Sequence, residues 1–145
     1  MATRLQLIHE SKFNLCLELE QLADSLPRKV DRFKCLRIAS KLVPLMHQSH
    51  LYEEQVVFPE LMANGELTSA IERLKGEHLE DLSAAEELTE VLLAIGRGHA
   101  IENADAIGFM LRSFFTSLRR HVEGEGQLIS MTDYSDCSGV DLSSN

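Results

Sequence analysis

The stretch His47-Gln-Ser-His-Leu-Tyr-Glu-Glu-Gln-Val-Val-Phe-Pro-Glu-Leu61 places two histidines and three glutamates in a segment that otherwise reads as an apolar helix. Residues four apart lie on one face of a helix, so His50 and Glu54 are predicted to point the same way. The same HxxxE spacing returns at His121 and Glu125. The sequence therefore carries the same pair of imidazole and carboxylate on two separate segments.

Apolar residues recur at helical spacing in four segments, and no alternating strand pattern is present. The segments span about 3–25, 30–62, 66–95 and 103–131, and turn signals at Pro27, Gly65 and Gly96 separate them. Asn103 or Asp105 is expected to cap the fourth helix, and Pro44 is a candidate kink or break in the second. We predict an all-α, up-down-up-down four-helix bundle over residues 1–131, followed by a polar, disordered tail at 132–145.

The composition argues against nucleic acid and membrane partners. The chain has 145 residues, with 23 acidic residues against 14 basic ones and a formal charge of -9, which repels phosphates and anionic lipids. No apolar run of about 18 residues is present, so a cytoplasmic location is expected. Cys16 and Cys35 are predicted to be buried thiols, whereas Cys137 lies in the polar tail and is a candidate for an exposed, reactive thiol.

The spacing of the histidines predicts a single layer across the bundle. Two residues of an antiparallel helical hairpin lie at the same height only if the turn falls near their midpoint in the sequence. The midpoints of successive candidate pairs fall near residues 30, 65 and 100, where the three turns are expected. The predicted layer consists of His9, His50, Glu54, His78, His121 and Glu125.

Two carboxylates buried in one layer need compensating charge. No arginine or lysine is evident at that level on the inward faces, so two metal ions are predicted. Imidazole with carboxylate suits iron, with manganese or zinc as possible substitutes. Two iron ions bridged by the glutamates and by an oxo or hydroxo group would leave room for O2 or NO. The small number of negative ligands favours reversible binding or simple redox cycling over oxidation of strong C–H bonds.

Further side chains are expected around this layer. His47 is one turn before His50 and is a candidate hydrogen-bond partner of a ligand. Phe13, Phe58 and Phe114 are expected to lie near the metal or to line its pocket. Glu53 and Glu77 are next to ligands but are predicted to face solvent, and Tyr52 is predicted to point away from the site.

These residues together resemble the hemerythrin-like (HHE cation-binding) domain family. The resemblance is carried by His9, His50-Leu-Tyr-Glu-Glu54 with Val-Phe-Pro59, His78 and His121-Val-Glu-Gly-Glu125, and it covers nearly the whole chain apart from the tail. It implies a non-haem di-iron centre in a four-helix bundle. Oxygen-carrying members have an HxxxH element in the third helix, but here Leu82 stands four residues after His78. The set of four histidines and two glutamates is more similar to the di-iron domains of iron-centre repair proteins.

Three functions follow from this reading as hypotheses. The first is a di-iron protein that binds O2 or NO for sensing, storage or stress response. The second is an iron-handling or iron-centre repair protein, and the third is a regulatory interaction module that binds a protein partner according to its metal state. No Ser/His/Asp or Cys/His arrangement predicts an enzyme, although weak redox activity is compatible with the site.

Overall fold

The computed structural model describes residues 3–63, 65 and 67–144, with side chains described as far as Met131. The helices are α1 (Arg4–Ser25), α2 (Arg32–Tyr52), α3 (Phe58–Met62), α4 (Thr68–Gly96) and α5 (Ala104–Ser144), and a π-helical segment (Glu53–Val57) joins α2 to α3. The predicted disordered tail at 132–145, together with Cys137, lies outside the residues whose side chains are described.

Four long rods form the bundle, because α2, the π-helical segment and α3 follow one another without a break. Neighbours in the chain pack together, and α1 also packs against α5, which closes the ring. This arrangement confirms the predicted all-α four-helix bundle. Among the described residues, no helix combines the length and the apolar composition that a membrane crossing requires.

Local signals fix where the helices begin and end. Thr3 and Gln6 form a capping box at the start of α1, and the side chain of Asn103 accepts a hydrogen bond from the backbone of Ala106 at the start of α5. Gly98 follows α4 with a φ of +93°, a conformation that glycine adopts without strain. The cap predicted at Asn103 and the turn predicted after Gly96 are therefore confirmed.

The second rod is irregular at the π-helical segment, whereas α2 continues through Pro44. The backbone N–H of Phe58 donates to the carbonyl of Glu53, five residues earlier. Pro59 follows at once and has no N–H to donate to Gln55, so an ordinary α-helical ladder is already incomplete there. Wider π-helical turns of this kind occur often at functional sites.

The core has two parts. The larger apolar cluster includes Leu15, Leu19, Leu42, Leu88 and Phe114, and both Cys16 and Cys35 are buried in it, as predicted. The smaller cluster is formed by Val57, Phe58, Leu61, Ile71 and Leu74. In every rod a group of buried polar side chains falls between the residues of the two clusters, so a polar layer separates them.

Candidate metal centre

Four buried side chains from three rods meet at the centre of the polar layer. Glu53, His78, His121 and Glu125 each offer one ligand atom, and these four atoms lie within 4.8 Å of one another. The exposure of all four residues is 3% or less. We call these residues the ligand cluster.

Each of the two nitrogen atoms of the ligand cluster lies close to one of its two oxygen atoms. The Nε2 atom of His78 lies 2.7 Å from Oε2 of Glu53, and the Nε2 atom of His121 lies 2.5 Å from Oε1 of Glu125. The two cross distances, from His78 to Glu125 and from His121 to Glu53, are both 3.9 Å. Two imidazole nitrogens and two carboxylate oxygens therefore face a common point.

Two more predicted ligands border the cluster. The Nε2 atom of His9 lies 3.0 Å from Oε2 of Glu125. The ring of His50 is buried and stacks on the ring of His78, with centroids 3.9 Å apart. The structure thus brings together five of the six residues predicted for this layer, which are His9, His50, His78, His121 and Glu125.

Glu54, the sixth, lies at the rim. Its side chain is 42% exposed, and its Oε1 atom is 3.4 Å from Nδ1 of His78. Its neighbour Glu53 is fully buried and occupies the cluster instead. The prediction that Glu53 faces solvent was therefore wrong. Positions three and four residues after His50 both lie near its face of the helix, and the packing of the bundle selects the first.

Lys12 is the second residue that the sequence reading missed. It is fully buried, and its Nζ atom donates to Oε1 of Glu53 at 2.9 Å. The Oγ atom of Ser49 donates to the same oxygen at 3.1 Å. The premise that no inward lysine lies at this level was therefore wrong, and Lys12 compensates part of the buried negative charge.

The heptad spacing of the core contained a signal for both residues. Lys12 stands seven residues after Leu5 and seven before Leu19, and Glu53 stands seven after Met46 and four before Val57. All four of these apolar residues pack in one of the two clusters. Charged residues at core positions of an apolar stripe are rarely exposed, so this pattern predicts that Lys12 and Glu53 are buried.

Residues on the outer side orient the histidines. With Nδ1 protonated, His121 donates to Oε2 of Glu77 at 2.8 Å, and its Nε2 lone pair then faces the cluster. Glu54 has the corresponding position beside Nδ1 of His78. Histidine ligands of metals commonly donate their second N–H to a carboxylate in this way. Glu77 was predicted to be a solvated neighbour, but it takes part in this contact while remaining 38% exposed on its side chain.

The other side chains expected near the site have different places. Phe58 is fully buried, and its ring lies 5.4 Å from that of His78. Phe13 is 38% exposed and His47 is exposed, so neither is enclosed with the ligand cluster. His47 does line a small cavity that reaches His50 and His78. Phe114 packs in the larger apolar cluster.

The unpartnered atoms of this layer test whether it fits a metal ion. In the described part of the chain, six buried side-chain nitrogen or oxygen atoms make no hydrogen bond of acceptable geometry. Five of these are ligand-type atoms of the layer, namely Nε2 of His50, His78 and His121, Oε2 of Glu53 and Oε1 of Glu125. Four of the five face one another in the imidazole–carboxylate contacts given above, and none has a hydrogen-bond partner elsewhere among the described residues. Ligand-type atoms that converge in this way on one buried point fit a site built for a cation.

The electrostatics of the metal-free protein are those of coupled ion pairs. Burial lowers the pKa of both His78 and His121, but short contacts with the carboxylates of Glu125 and Glu53 outweigh it, raising the pKa to about 9 and about 10. Burial raises the pKa of Glu53 and Glu125, but contacts with the two histidines reverse this, and the pKa of Glu125 falls to about 2. Burial and the positive charge of His78 lower the pKa of His50 to about 3.

These shifts predict proton release when a metal binds. At pH 7 the metal-free protein holds a proton on His78 and on His121, and each must lose it to coordinate a cation. We expect about two protons to be released per binding event at pH 7, and fewer above pH 10. Calorimetric titration in buffers of different ionisation enthalpy measures this number, and release of no protons at pH 7 would contradict the assignment of these two ligands.

The comparisons with known proteins agree with this geometry. The family model described as the hemerythrin HHE cation-binding domain matches residues 1–130. Neither the search of curated proteins nor the search of solved structures gave a match. The matched range includes the first three rods, the fourth as far as residue 130, and every residue of the polar layer. The chain therefore belongs to the hemerythrin HHE cation-binding domain family.

Proposed function

We propose that this chain binds iron in the polar layer and that the loaded centre takes up O2 or NO. The observation that carries the proposal is the convergence of imidazole nitrogens and carboxylate oxygens in one buried layer, where they contact only one another. The proposed ligands are Glu53, His78, His121 and Glu125 of the ligand cluster, with His9 and His50 as the neighbouring imidazoles of the layer. Glu54 is proposed to orient His78 rather than to coordinate the metal.

The donor chemistry favours iron. Imidazole together with carboxylate suits iron, with manganese and zinc as substitutes, whereas calcium and magnesium prefer oxygen ligands alone. A bound iron supplies reversible coordination of a diatomic gas and one-electron redox chemistry. The chain supplies a layer that is closed above and below by apolar clusters, which keeps water away from the bound gas.

The size of the cavity beside the proposed metal site favours a small gas molecule. A cavity of about 180 Å³ between the second and third rods is lined by His50, His78, Glu54, Leu79 and three neighbouring side chains. Pockets for organic ligands usually measure about 300–1,000 Å³. A larger cavity of about 520 Å³ reaches the layer at His9, whose Nε2 atom already contacts Glu125. The route to His50 and His78 therefore suits a diatomic molecule.

Gas titration of the ferrous protein tests the proposal. Protein purified without oxygen and loaded with Fe(II) is expected to gain an absorption band when O2 or NO is added and to lose it on degassing. The Glu53→Gln/Glu125→Gln double variant is the control, and no band is expected from it. Iron that binds but gives no band, or a band that bleaches irreversibly, would contradict gas binding. Ready transfer of that iron to an apo-cluster protein would then favour the iron-handling hypothesis.

A further inference from the structure

Lys12 is a buried cation in direct contact with a proposed metal ligand. Its side chain has no exposed surface, and the Glu53 side chain that it contacts has none either. A lysine is almost never fully buried unless it is paired. A cation already present in the layer affects how many metal ions the layer can hold. The inference below concerns that number and rests on the proposed function.

Lys12 and Ser49 use up one oxygen of Glu53. Both donate to Oε1, at 2.9 Å and 3.1 Å, so only Oε2 faces His78 and His121. Glu125 differs, since Oε2 lies beside His9 and Oε1 lies beside His121, so both of its oxygens face imidazoles of the layer. A carboxylate that bridges two metal ions needs both of its oxygens. In this structure Glu53 presents a single oxygen to the cluster, so it is not placed to bridge two metal ions.

The size of the ligand cluster suits one ion. Metal–ligand bonds to nitrogen and oxygen are about 2.0–2.2 Å long, so two ligands of the same ion are at most about 4.4 Å apart. The four ligand atoms lie within 4.8 Å of one another, close to that limit. Two ions about 3.5–4 Å apart would instead spread their outermost ligands over about 8 Å.

The charge of the layer also favours a single metal ion. With Lys12 present, two divalent ions against the carboxylates of Glu53 and Glu125 would leave three positive charges, or two if a hydroxide bridged the ions. Asp81, the third buried carboxyl group near the layer, can offset at most one of them. One divalent ion leaves only one positive charge, which costs far less to bury.

From these observations we propose that the ammonium group of Lys12 takes the place of a second metal ion, and that the layer holds one iron per chain. Lys12 acts as a positioning residue, because it holds Glu53 so that a single oxygen faces the metal. The chain would thus combine the bundle of its family with a centre of one metal ion.

The iron content of three proteins tests this inference: the wild type, Lys12→Met and Lys41→Met. Methionine keeps most of the volume of lysine without its charge, and Lys41 contacts Glu18 on the surface, outside the layer. After anaerobic loading with Fe(II) and removal of free metal, we expect about one iron per chain in the wild type and in Lys41→Met. We expect about a twofold rise in Lys12→Met, because Oε1 of Glu53 becomes available.

The outcomes distinguish failure of the proposed function from failure of the role assigned to Lys12. Two irons in the wild type would overturn the role of Lys12 while supporting the proposed function, and absence of stoichiometric iron would overturn the proposed function itself. One iron in both the wild type and Lys12→Met would also overturn the role of Lys12. If Lys12→Met does not fold, the wild-type ferric protein still answers the question. An uncoupled high-spin ferric signal in its electron paramagnetic resonance spectrum is expected, and a silent, coupled pair would contradict the inference.

Discussion

Glu53→Gln is expected to abolish stoichiometric iron binding, whereas Glu54→Gln is expected to retain it. Glu53 is fully buried, with one oxygen in the ligand cluster, and Glu54 is largely exposed at the rim. Loss of an outer hydrogen-bonding partner of a metal ligand lowers metal affinity by about 10–100-fold. The loss of a ligand should exceed this range, so we expect more than about 100-fold for Glu53→Gln. For Glu54→Gln we expect about tenfold, the lower end of the range, because its contact with His78 is 3.4 Å long.

The two variants form a matched pair, because they are adjacent and lose the same charge. Iron per chain and the dissociation constant from competition with a chromophoric chelator measure the effect. Helicity by circular dichroism shows whether each variant is folded. The reverse order, with iron lost in Glu54→Gln and kept in Glu53→Gln, would restore the HxxxE reading of the sequence and contradict the arrangement at the π-helical segment.

Lys12→Met is expected to destabilise the metal-free protein by about 3–5 kcal/mol, the usual cost of breaking a buried ion pair by removing one partner. The reason is that the buried Glu53 carboxylate would lose the cation at Oε1 and keep only the imidazole of His78 beside Oε2. Urea unfolding of the metal-free protein measures the change in the free energy of unfolding. Lys41→Met is the control, since its exposed pair with Glu18 should contribute only about 0–1 kcal/mol.

The double variant Lys12→Met/Glu53→Gln separates charge from packing. If the cost comes from an unpaired carboxylate, removing its charge should recover much of the lost stability. No recovery would mean that the lysine stem, rather than its charge, stabilises the layer. A loss of less than about 1 kcal/mol in Lys12→Met would place this pair with ordinary surface ion pairs and contradict its role in the core.

The contribution of the two histidines to stability should depend on pH. Their pKa values are raised in the folded protein to about 9 and about 10, so the stability that they contribute is fully present below the unfolded value of 6.5. It is lost as the pH rises through 9 to 10, where both imidazoles become neutral beside the carboxylates. His50 has a lowered pKa and is neutral in both the folded and the unfolded protein well above pH 6.5, so it adds no pH dependence at alkaline pH.

The sequence by itself determined the class of the fold and the height of the site. Helical spacing, the turn signals at Pro27, Gly65 and Gly96, and the placement of histidines around those turns were enough to predict a four-helix bundle with one polar layer. These features are local or depend only on counting along the chain, and they do not need the packing angles of the helices. The prediction of two iron ions rested on the absence of an inward cation, which counting alone did not test.

Only the tertiary structure decided which side chains fill that layer. Glu53 and Glu54 are both near the inward face after His50, and a rotation of the second rod by part of a turn exchanges them. That rotation is fixed by the π-helical segment and by the contact of Glu53 with Lys12, which lies on the first rod. The buried Lys12 likewise depends on its partner across the bundle, because a lysine is buried only where a carboxylate meets it.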